Sequence, residues 1–232
     1  MIVVNSRAGQ RSNRLVTIAH ALATAIERGE ELRLTAFGRF ARDYRCDVTW
    51  GGRVVIGDSL AWELVRLVLA AAKRLGWRSV LRGRVVSDWS YRAPEALERQ
   101  AEAIRAFFAP ARTFADLERA EGEAVVGVHK RRGDYRQFLG GRYYFEDDVY
   151  EANKAAVRKI LEATGRKVRF VEFPRGEAVE DQWLMSRCDY LIGPPSSFSA
   201  WASFMGRVPL GLIWSRDSVL AADDLRYRGL YV

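Results

Sequence analysis

Cys188-Asp189-Tyr190-Leu191-Ile192-Gly193-Pro194-Pro195-Ser196-Ser197-Phe198-Ser199 reads as a strand, a turn of small residues, and a helix starting near Phe198. The order strand, tight turn, helix is the unit from which parallel α/β layers are built. Backbone N–H groups at a helix start have no intrahelical acceptor, so they form an anion site. Ser196 and Ser197 add hydroxyls that cap the helix or meet a phosphate oxygen. An ordinary serine cap fits the same residues.

Sixty residues earlier, Ala124 to Val128 is a second short apolar run. It opens into His129-Lys130-Arg131-Arg132-Gly133-Asp134-Tyr135. If the strand continues to Arg131, His129 and Arg131 share one face and Lys130 takes the other. Arg presents a planar fork of donors that grips phosphate at two points. Strands of one parallel sheet open on the same edge, and open α/β folds place ligands there. The two segments together predict a site for a phosphate-bearing ligand. A basic surface turn is the plainer reading of the arginines taken alone.

The surrounding pattern alternates in the same way. Strands are expected at Ile2–Asn5, Glu31–Phe37, Val85–Ser87, Ala124–His129, Val168–Phe173, Tyr190–Gly193 and Val208–Ile213. Helices are expected at Asn13–Arg28, Leu60–Leu75, Ala93–Phe108, Asp147–Ala163, Ala178–Arg187 and Phe198–Met205. Leu15, Ile18, Ala19, Leu22 and Ile26 form one apolar stripe on the first helix, with Ser12 as its cap and Gly29 as its stop. The stretch from Gly38 to Asp58 reads as irregular. The charged segment Ala111–Glu123 reads as a crossing between a first half, residues 1–115, and a second, residues 116–232.

The chain has 232 residues and is 49% hydrophobic and 28% charged, a globular composition. Its net charge of +8 favours polyanions without choosing among them. Cys46 and Cys188 offer no disulfide framework, and with only His20 and His129 besides, no His/Cys metal site is expected. The N-terminus lacks the basic flank of a signal peptide, and no uncharged apolar run is long enough to span a membrane. A reducing, cytoplasmic setting is expected. Trp62, Leu64, Val65, Leu67, Val68 and Leu69 lie on one helix that reads as buried core, with peripheral membrane contact as the alternative. Tyr135-Arg136-Gln137-Phe138 and Arg142-Tyr143-Tyr144-Phe145 suit a nucleic-acid surface, but the basic residues are spread rather than clustered, which counts against one.

His129-Lys130-Arg131-Arg132-Gly133-Asp134 resembles the His-x-Arg-Arg-x-Asp signature of the GDP-fucose-dependent α1,2/α1,6/protein-O-fucosyltransferase superfamily, nearest to its bacterial α1,2 branch. Asp181 to Ile192 followed by Ser196-Ser197-Phe198-Ser199-Ala200-Trp201 resembles that family's distal motif. Gly9-Gln10-Arg11-Ser12-Asn13-Arg14-Leu15 resembles its front glycine-rich loop. The chain departs from the pattern at Arg11-Ser12, at Lys130, and at Pro174-Arg175-Gly176-Glu177 after the strand Val168–Phe173. The resemblance implies a GT-B-like α/β fold of two Rossmann-type lobes with mostly parallel sheets and a cleft between them. It also implies an inverting transferase that needs no metal or other cofactor and moves fucose from GDP-fucose to a glycan or other hydroxyl acceptor. Arg131 is then the main phosphate contact and Arg132 its support, while His129 lies near the nucleoside or pyrophosphate. Ser196, Ser197 and Phe198 sit at the phosphates, and Asn13 faces the sugar or acceptor. Asp134 orients an arginine or serves as base; Glu146, Asp147, Asp148 and Glu172 are the other candidate bases. A relative that binds nucleotide or glycan without turnover is the alternative.

Overall fold

A computed structural model describes residues 1–5, 10–47, 50–57, 67–68, 71, 74, 85–86, 90–173 and 176–230. The chain divides into two compact units, Met1–Thr113 and Phe114–Val232. Each holds a four-stranded sheet in which every pairing is parallel.

In the first unit, β1 (Ile2–Val4), β2 (Leu32–Leu34), β3 (Val54–Ile56) and β4 (Val85–Val86) lie in the order β3-β2-β1-β4. The helix α1 (Arg11–Arg28) connects β1 to β2, and its apolar face is fully buried. Gly29 ends it at φ 61°, a left-handed conformation that costs glycine little. A short helix α2 (Gly38–Ala41) follows β2, and α3 (Pro94–Arg99) and α4 (Ala101–Phe107) close the unit.

In the second unit, β5 (Glu123–Val128), β6 (Lys167–Glu172), β7 (Tyr190–Gly193) and β8 (Leu210–Leu212) lie in the order β6-β5-β7-β8. The crossovers are α5 (Asp147–Glu162), α6 (Ala178–Ser186) and α7 (Ser197–Gly206). The strand β5 is apolar on both faces because helices cover both. Ala124, Val126 and Val128 pack toward Val149, Tyr150, Val157 and Leu161 of α5. Val125 points the other way, into a cluster with Met185, Leu191, Ala200 and Ala202. After β5 the chain moves to β6 on one side, then returns to β7 on the other. The strand order therefore reverses between β5 and β7, and an open parallel sheet leaves a crevice at that point.

Several sequence expectations need correction. The strand expected over Glu31–Phe37 pairs only over Leu32–Leu34. The stretch expected to be irregular contains α2 and β3, which gains its place by pairing with β2. Ser12 is not a cap: Gln10 holds the extended position before the helix, and Ser12 is buried inside it. The helix expected over Ala93–Phe108 is two helices, broken at Gln100 where the backbone leaves helical values (φ −99°, ψ 13°). The expected helix over Leu60–Leu75 falls almost wholly outside the described residues. Leu67 and Val68 are described, and they are 56% and 66% exposed rather than in a core. Among the described residues no helix is long and apolar enough to cross a membrane.

Candidate functional site

The carboxyl ends of β5 and β7 lie side by side. His129 N donates to Ile192 O at 2.9 Å, so the ladder extends one residue beyond β5. A Cβ added to Gly193 would stand 2.6 Å from His129 O, so the approach of the two chains admits only glycine there without backbone movement. The alternation of β5 also persists past its end. His129 turns toward α7, its ring 5.3 Å from that of Phe198, while Lys130 turns toward α5 and lies 5.6 Å from the Tyr150 ring.

Arg131 lies on the α7 side. Its Nη2 donates to Asp134 Oδ2 at 2.9 Å, and its guanidinium stacks over the Tyr135 ring at 4.9 Å. The Tyr135 hydroxyl donates to Pro195 O at 2.8 Å. Burial pushes that phenol above its ordinary range, which keeps it a proton donor. Tyr135 thus ties the turn after β5 to the turn after β7, and Arg131 rests on the tie.

The second turn ends in a capped helix. Ser196 is extended, and its hydroxyl accepts from Phe198 N at 3.2 Å. Ser199 is fully buried and donates to Ser196 O at 3.3 Å. The Ser197 hydroxyl makes no hydrogen bond to the described residues. No acidic residue stands in the first turn of α7, whereas α5 and α6 carry two each. The positive end of the α7 dipole therefore has no carboxylate of its own helix against it.

His129 completes the ring of contacts. Its Nδ1 is buried without a partner among the described residues. Burial first, and the Arg131 charge second, push its pKa down to about 3. It is neutral at physiological pH, so beside it the positive charge is carried by Arg131.

Arg132 is committed elsewhere. It donates to Phe145 O at 2.8 Å and to Asp147 Oδ1 at 2.7 Å, across the start of α5. Lys130 pairs with Asp147 at 2.9 Å and with Glu172 at 2.8 Å, and Lys154 shares Glu172 at 2.8 Å. Lys130 holds the Asp147 carboxyl below its ordinary range. Burial opposes ionisation of Glu172, yet hydrogen bonds from Lys130 and Lys154 keep its carboxyl low as well. Glu146 lies 3.4 Å from Arg132, and Asp148 accepts from Val149 N at 2.9 Å. The five carboxylates considered as bases are each engaged by a cation or an amide.

The structure therefore gathers His129, Arg131, Asp134, Ser196, Ser197 and Phe198 at one point of the second sheet. Arg132 sits one residue away but turns to α5. Asn13 is in the other unit, in the first turn of α1, where its carbonyl accepts from Thr17 Oγ1 at 3.1 Å. Sequence reasoning missed Tyr135 as the tie between the two turns. Its only signal was its place one residue after Asp134. Among the described residues, no group of three or more His, Cys, Asp or Glu is placed to hold a metal ion.

No protein-family model matches the chain, and no curated protein is significantly similar to it in sequence. Among solved structures, the chain is similar to a mutant of Arabidopsis thaliana FUT1 in complex with GDP. That likeness has a TM-score of 0.52 at 12% identity and covers 90% of this chain and 69% of that one. It is also similar, at a TM-score of 0.41 and 12% identity, to the dodecameric iron-containing heptosyltransferase TibC in complex with ADP-D-beta-D-heptose. That match covers 91% of this chain and 57% of the other. At 12% identity the first likeness speaks for the fold alone. The two parallel sheets with crossover helices, together with that likeness, identify the fold as an α/β fold of the GT-B type.

Proposed function

We propose that the chain is an inverting glycosyltransferase that moves a sugar, L-fucose in the first instance, from a GDP-sugar to a hydroxyl of a glycan or other acceptor. The observation that supports it is the placement of Arg131 on Tyr135, whose hydroxyl reaches Pro195 just before α7, at the reversal point between β5 and β7. The solved structure of similar fold holds GDP, which agrees with this reading.

Breaking the bond between the sugar and the phosphate leaves an electron pair on the departing GDP oxygen and oxocarbenium character on the sugar. The acceptor hydroxyl forms the new bond from the opposite face and gives up its proton to a base or to solvent. In this reading Arg131 and the first-turn N–H groups of α7 take the leaving charge. They are already in place, so the charge develops with little reorganisation. Ser197 adds a hydroxyl, His129 contributes as a neutral ring, and Asp134 orients Arg131. Fixed donors of this kind carry the leaving group without a metal, so turnover should be insensitive to EDTA.

Thermal denaturation with GDP, GDP-fucose, GDP-mannose, UDP-glucose and ATP tests this. GDP and GDP-fucose should stabilise the chain selectively, and Arg131→Ala should abolish both the shift and turnover. Transfer that survives Arg131→Ala removes that residue from the mechanism. The engagement of all five candidate carboxylates favours a second reading, a relative that binds nucleotide without catalysis. GDP binding with neither transfer nor donor hydrolysis would establish it. Exposed Leu67 and Val68 add peripheral membrane contact to the proposal, tested by co-sedimentation with anionic vesicles.

A further inference from the structure

The first unit carries a cluster that the nucleotide reading does not use. Its helix α1 follows the carboxyl end of β1, and its helix α2 follows the carboxyl end of β2, so both leave the ligand-bearing edge of the sheet. These two segments bring three guanidinium groups onto one ring. Arg11, Arg14 and Arg39 lie 4.9, 5.4 and 4.5 Å from the centre of Phe40. Arg11 also pairs with Asp43 at 2.9 Å, and its contact helps offset the burial that pushes the Tyr44 phenol up to about 12.

Two of the three arginines stand in the first turn of α1, an 18-residue helix with no acidic residue in that turn and no side-chain cap. Cations there oppose the helix dipole, so the local chemistry favours a negative partner. The ring backs the guanidiniums with apolar surface, which strengthens their pairing with an anion relative to open water. Three guanidinium groups near one ring offer planar forks of donors of the kind that grip phosphate oxygens.

We propose that the first unit holds its own anion site, formed by Arg11, Arg14 and Arg39 around Phe40, which takes a phosphomonoester such as the phosphate of a phosphorylated saccharide. The proposal does not depend on the nucleotide reading.

The test uses the full chain at constant ionic strength, titrated with glucose phosphate, sodium phosphate and glucose, and followed by calorimetry and thermal denaturation. Saturable binding of glucose phosphate, absent with glucose, is expected. Arg39 is exposed, so Arg39→Gln should keep the fold and weaken binding by roughly tenfold, and Arg14→Gln with Arg39→Gln by roughly a hundredfold. Tighter binding of glucose phosphate than of sodium phosphate assigns the site to a phosphorylated sugar, and equal binding assigns it to free phosphate. Wild-type affinity in the folded double variant, or no saturable binding by the wild type, overturns the proposal. GDP titrated into the wild type and into Arg131→Ala, a change in the other unit, reports on the nucleotide reading, so failure of this site and failure of that reading are told apart.

Discussion

Arg131 and Arg132 are neighbours with opposite duties, and the difference can be measured. Arg131 rests on Tyr135 and Asp134, beside the start of α7. Arg132 spans Phe145 O and Asp147 at the start of α5. Arg132→Ala should lower stability by about 1–2 kcal/mol, because it leaves the Phe145 carbonyl without its donor and Asp147 with Lys130 alone, as urea unfolding would show. Arg131→Ala should leave the unfolding midpoint nearly unchanged and remove the response to GDP. Gly193 allows a third test. Its substitution by Ala pushes a methyl group against His129 O, so Gly193→Ala should cost roughly 1–3 kcal/mol and weaken GDP binding together.

At the scale of elements, α7 depends on its first turn. Ser196→Ala removes the acceptor for Phe198 N and should cost about 1 kcal/mol by chemical denaturation. Ser197→Ala removes a hydroxyl with no partner among the described residues, so it should leave stability unchanged and act on ligand affinity alone. The segments that build this region were readable in the sequence. The strands β5 and β7 are apolar runs that end in charged or small residues, and α5 to α7 follow them with clear spacing. The strand β3 escaped notice because Val54-Val55-Ile56 is too short to show a period and owes its conformation to β2. The break at Gln100 was hidden because the apolar positions continue on both sides of it. Arg131 and Ser196 were visible as residues, but their connection through Tyr135 and Pro195 joins positions far apart in the chain. The gathering of Arg11, Arg14 and Arg39 on Phe40 was likewise invisible, since only the fold puts α1 and α2 at one edge.

At the scale of the whole molecule, acid is the first stress to matter. His20 is 2% exposed in α1, where its Nδ1 accepts from Ala93 N at 3.1 Å. Burial pushes its pKa down to about 4. The unfolded chain takes up this proton near pH 6.5, whereas the folded chain does not until near pH 4. Stability from this group is therefore complete above about pH 6.5 and drains away as the pH falls toward 4. At about 1.4 kcal/mol for each pH unit, the loss reaches about 3 kcal/mol. Urea unfolding at pH 7, 6, 5 and 4 should show that decline, and His20→Gln should flatten it by this amount.

The position of β6 at the rim of its sheet has a consequence for solubility. A six-residue strand with one side unpaired among the described residues is a template on which another chain can add itself. Here the rim carries Lys167, Arg169 and Glu172, and Arg169 is pinned at 3.0 Å by Glu123 of the neighbouring strand. Charges along the strand make the stacking of a second molecule there costly. Neutralising Lys167 and Arg169 together should leave the monomer folded, while light scattering at high concentration registers growing edge-to-edge assembly.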